Sequence, residues 1–85
     1  MERLIKKNKD GKYIIFDECL EQAMLKLGMF EDAHENLMNN QIQIPKDLET
    51  LREQGKEKTV RYKEMMAQKL INNHIAMFFE KYGLR

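Results

Sequence analysis

The sequence predicts an α+β domain, mostly α: an N-terminal β-hairpin followed by three or four helices, with a long C-terminal helix as the organising element. Three observations lead there. A β-branched and aromatic run, Tyr13-Ile14-Ile15-Phe16, follows a turn signal near the N-terminus. Apolar residues recur at helical spacing over much of the remainder. All four glycines fall where that periodicity changes. At 85 residues the chain has room for a single domain, expected to span residues 1–85.

The hairpin is expected over about residues 2–16. Asn8-Lys9-Asp10-Gly11 has the chemistry of a tight turn, with Asp suited to a central position and Gly to the positive φ that follows. Leu4-Ile5 supplies the weaker partner strand.

One or two helices are expected over about residues 17–39. Asp17 is an N-cap by residue type, and Glu18 and Glu21 suit the positive end of the helix dipole. Leu20, Ala23, Met24 and Leu27 share a face. Gly28 reads either as a left-handed cap that divides this segment, with Phe30, Ala33, His34, Leu37 and Met38 forming a second piece, or as a residue tolerated inside one long helix at about 1 kcal/mol relative to alanine. Asn39 to Ile44 reads as a break.

Pro45 suits a first helical position, with Asp47 and Glu49 behind it, so a short helix is expected over about 45–54 and Gly55 is expected to end it. The long helix is expected over about 57–82. At about 100° per residue, Val60, Ala67, Ile71, His74, Ile75, Phe78 and Tyr82 fall close to one line. Met66, Leu70 and Met77 make a second row to one side, and Phe79 lies to the other. Gly83 reads as its C-cap, with Leu84 placed to meet Phe79.

This apolar arc covers roughly 200°, where a surface helix needs about 100°. Two readings compete without excluding each other: the helix is the central element covered by the rest of the fold, or part of the arc is an interface. The gain of core that small domains make by association supports the second. The expected interface residues are Met66, Leu70, Met77 and Phe79, and seven methionines suit an adaptable binding surface. The expected function is a non-catalytic protein–protein interaction module that self-associates through its C-terminal helix. Its partner would be a second copy or a larger protein.

The alternative is a small nucleic-acid-binding regulator. Residues 46–69 read as helix, glycine turn, helix, with basic residues opening the second helix. The contacts would come from Lys6, Lys7 and Lys9 of the hairpin and from Lys56, Lys58 and Arg61. Two features weigh against it. The turn is flanked by polar Gln54 and Lys56, and Lys63 lies far round the helix from Lys58 and Arg61. The net charge is +1, distributed as basic ends around an acidic middle, and that pattern suits internal or intersubunit pairing better than a polyanion.

Chemistry of the catalytic kind finds little material. The chain has no serine and no glycine-rich loop, so serine nucleophiles and phosphate-cradling loops are excluded. Cys19 lies near a helix start, but Glu18 and Glu21 oppose a thiolate there. Glu31 and His34 make a single Glu-x-x-His, where di-iron bundles need two. His34 and His74 sit on apolar faces and read as packed or interface histidines. Neither an enzyme nor a cofactor or metal site is expected. One cysteine, no apolar leader in the first ten residues and no long apolar run point to a cytoplasmic protein without a membrane span.

Overall fold

The computed structural model describes residues 2–84. It contains a two-stranded antiparallel hairpin, β1 (Ile5–Lys7) and β2 (Tyr13–Ile15), then a 3-10 turn Asp17–Cys19, a long helix α1 (Leu20–Glu53) and a second helix α2 (Val60–Glu80). Two helices replace the expected three or four. Two compact units divide the chain, one ending at His34 and the other beginning at Glu35.

In the first unit the strands pair Ile5 with Ile15, Lys6 with Ile14 and Lys7 with Tyr13. The turn is built by Asn8, whose Oδ1 accepts from the amides of Asp10 and Lys12, each at 3.0 Å. The Gly11 amide donates to the Asn8 carbonyl, and Gly11 takes φ 78°, a left-handed conformation that disfavours a Cβ. The Lys7 ammonium lies 5.2 Å from the centroid of the Tyr13 ring across the strand pair. Asp17 does not cap α1. It opens the 3-10 turn, which leads directly into the helix.

Three boundaries expected inside residues 20–53 are absent. Gly28 is helical and has no positive φ. Its cost relative to alanine is about 1 kcal/mol, which a long helix absorbs without ending. Residues 39–44 are helical, and Pro45 lies inside α1 as its one proline. An interior proline costs about 3 kcal/mol through a lost hydrogen bond and a ring clash. The compensation lies in a stripe that does not stop there. His34, Leu37, Gln41, Ile44, Leu48 and Leu51 recur at steps of three and four and are all buried or half-buried. Gln41 hid that continuity in the sequence.

In the second unit α1 and α2 form a helical hairpin. Leu48, at 2% exposure, is its most deeply buried side chain, joined by Leu37, Ala76 and Asn72. Gln41 Nε2 donates to Asn73 Oδ1 at 3.3 Å, tying the helices. Where the chain reverses, Arg52 Nε donates to the Tyr62 hydroxyl, and its guanidinium lies 5.7 Å from the ring centroid. The α1 terminus is a Schellman arrangement: the Lys56 amide donates to the Leu51 carbonyl at 2.8 Å, the Gly55 amide to Arg52 at 2.9 Å, and Gly55 takes φ 70°. Thr59 caps α2, accepting from the Tyr62 amide through its hydroxyl. Gly83 closes α2 in the same way as Gly55, with the Leu84 amide on the Phe79 carbonyl and the Gly83 amide on Glu80.

No helix among the described residues is long and apolar enough to cross a membrane.

Candidate functional site

The site with the clearest physical anomaly is the outer face of α2. On a helix wheel with Val60 at zero and about 100° per residue, the covered residues cluster on one side. Tyr62, Met65, Lys69, Asn72, Asn73 and Ala76 are buried or half-buried and lie within about 50° of 170°. The main apolar line of the sequence, with Val60, Ala67, Ile71, Ile75 and Phe78, lies on the opposite side and is exposed. Ile71 is 51% exposed and Phe78 56%. The helix therefore turns a mixed face inward, with Lys69 and two asparagines, and its most apolar face outward.

The inward face accommodates its polar groups only in part. Asn72, at 4% exposure, accepts through Oδ1 from Gln68 Nε2 at 2.7 Å. Its Nδ2 has no hydrogen-bond partner among the described residues. A buried amide donor left unpaired costs about 1–3 kcal/mol. That cost is carried on the face that packs, while large apolar side chains stay in water on the other.

Of the four residues expected at an interface, Leu70 is 58% and Met77 59% exposed, flanking the outer line. Met66 and Phe79 are half-buried, at the margins of the covered arc. Phe78 contacts both aromatic neighbours along the helix, with ring centroids 5.9 Å from Phe79 and 5.3 Å from Tyr82. Sequence reasoning placed Val60, Ile71, Phe78 and Tyr82 on one line and expected the interface on the rows beside it; the structure leaves that line itself exposed. The signal that would have told the covered face from the exposed one is the chemistry of α1, whose stripe carries Gln41 and so matches an amide-bearing face of α2.

The basic residues considered for nucleic acid are all exposed and come from separate places. Lys6 and Lys7 belong to β1, Lys9 to its turn, Lys56 and Lys58 to the 54–59 loop and Arg61 to the first turn of α2. The first three lie in one unit and the last three in the other. Cys19 is a free, half-buried thiol in the 3-10 turn. Among the described residues no group of three or more His, Cys, Asp or Glu is placed to hold a metal ion.

The first unit holds an open apolar groove of about 510 Å³ between the hairpin and the start of α1. Leu4, Ile15, Leu20, Met24, Leu27 and Phe30 line it, with Arg3 and Lys26 as its charged members.

Compared with protein-family models, with curated proteins and with solved structures, the chain matches none.

Proposed function

We propose that this protein is a non-catalytic interaction module that self-associates through the outer face of α2. One observation carries the reading: the most apolar line of that helix lies about 180° from the face that α1 covers. Contiguous exposed apolar surface of this kind marks interaction sites. An 85-residue chain with so few fully buried side chains gains stability by covering it.

The test is the mass in solution across a concentration series. The unaltered chain is expected to be a dimer by light scattering at micromolar concentration. Leu70→Glu with Met77→Glu is expected to give a monomer of unchanged helix content by circular dichroism. An unaltered chain that stays monomeric up to millimolar concentration sinks the proposal. Retention on heparin with a steep salt dependence would instead favour the nucleic-acid reading.

A further inference from the structure

The geometry points to a specific partner arrangement: α2 pairs antiparallel with α2 of a second copy, in the register that sets Glu64 against the second copy's Lys81. This rests on the self-association proposed above and goes beyond it by fixing direction and register.

The outer face carries Glu64, Ala67, Ile71, His74, Phe78 and Lys81 at successive steps of three and four. That spacing, about 3.5 residues on average, keeps a seam turned toward a neighbouring helix. All six are exposed. Lys81 is the C-cap and retains helical dihedrals, φ −59° and ψ −26°, so it continues the same line.

A two-fold axis makes a self-complementary interface, in which residue i meets j and j meets i. In an antiparallel pair whose axis passes between Ile71 and His74, Ile71 meets His74, Ala67 meets Phe78 and Glu64 meets Lys81, each twice. The smallest seam residue receives the largest, so the layers interdigitate without a void. Opposite charges close both ends. Leu70 and Met77 of the two copies then flank the centre of the seam.

The parallel arrangement does the reverse. It stacks Glu64 on Glu64 and Lys81 on Lys81, like charges that repel. It also sets Phe78 against Phe78 while Ala67 faces Ala67, crowding one layer and emptying another. An antiparallel pair displaced by one heptad, with Glu64 against His74, sends Lys81 and Tyr82 beyond the partner's first turn at Val60. Charge rejects the parallel pair, and the Ala67–Phe78 size match with full helix overlap favours the register named here over the displaced one. Because this seam lies opposite the face toward α1, pairing extends the helical layer on its free side and leaves the contacts of α1 in place.

The test is a charge-swap series on the full chain, read as the dimer dissociation constant by sedimentation equilibrium at low salt. Glu64→Lys alone and Lys81→Glu alone are each expected to weaken the dimer about tenfold, since two contacts change from attraction to repulsion. The double variant Glu64→Lys with Lys81→Glu is expected to return to within about twofold of the original, because it restores the pairs with signs exchanged. Helix content, checked by circular dichroism, is expected to stay constant across the series. A dimer that both single variants leave unchanged overturns the register while self-association stands. A chain that is monomeric before any substitution overturns both.

Discussion

The two faces of α2 differ in a way that inverts the usual expectation. The inner face packs Asn72, Ala76 and half-buried Lys69, while the outer face leaves Ile71 and Phe78 in water. Hydropathy alone would bury the second and expose the first. The difference teaches that the fold of one chain is not the whole assignment of its apolar surface. A helix with two faces need not pack the more apolar one against its own chain.

The largest expected effect separates the faces directly. Leu48→Ala, at the most buried position, is expected to cost about 2–5 kcal/mol in urea unfolding, through lost transfer energy and a residual cavity. Phe78→Ala deletes a larger side chain from the outer face. At concentrations where the chain is monomeric it is expected to stay within about 0.5 kcal/mol of the original. Similar losses from both would place Phe78 in a covered core and erase the contrast.

A smaller effect sharpens the inner face. Asn72→Leu removes the buried unpaired donor and is expected to stabilise the chain by roughly 1–2 kcal/mol, read as a raised urea midpoint. A loss of stability would show that the amide is paired in solution.

The smallest pair concerns two glycines. Gly55→Ala forces a Cβ into a φ of 70° and is expected to cost about 1–2 kcal/mol. Gly28→Ala has open space around the added Cβ and is expected to add up to about 1 kcal/mol, because position 28 is plain helix. Thermal unfolding by circular dichroism measures both.

Those glycines also mark how far the sequence could be read. The hairpin was legible because Asn8 and Gly11 act locally, within the turn they make. The C-terminal end of α2 was legible for the same reason, since Gly83 acts within a few residues; its start was expected at about 57, and the Thr59 cap that sets it at Val60 was not read. At Gly28 one helix and two were both open, and the structure has one. Pro45 was misread because a breaker states a cost, and what outweighs it lies elsewhere in the chain. In α1 that is the His34 to Leu51 stripe, whose central Gln41 looks like a gap until Asn73 is seen to receive it. The outer face of α2 was half legible. Periodicity grouped its residues correctly, yet a period carries no sign, and nothing local tells which group faces inward.

Pro45 has one more consequence. Lacking an amide hydrogen, it cannot satisfy the Gln41 carbonyl four residues earlier, so the ladder of α1 misses a rung there. The same Gln41 reaches across to Asn73 with its side chain. The weld between the two beams thus sits where one beam is thinnest. Within the packed stretch of α1, residues 37–51, deuterium should enter first around that rung, and losing the weld through Asn73→Ala should let it enter faster.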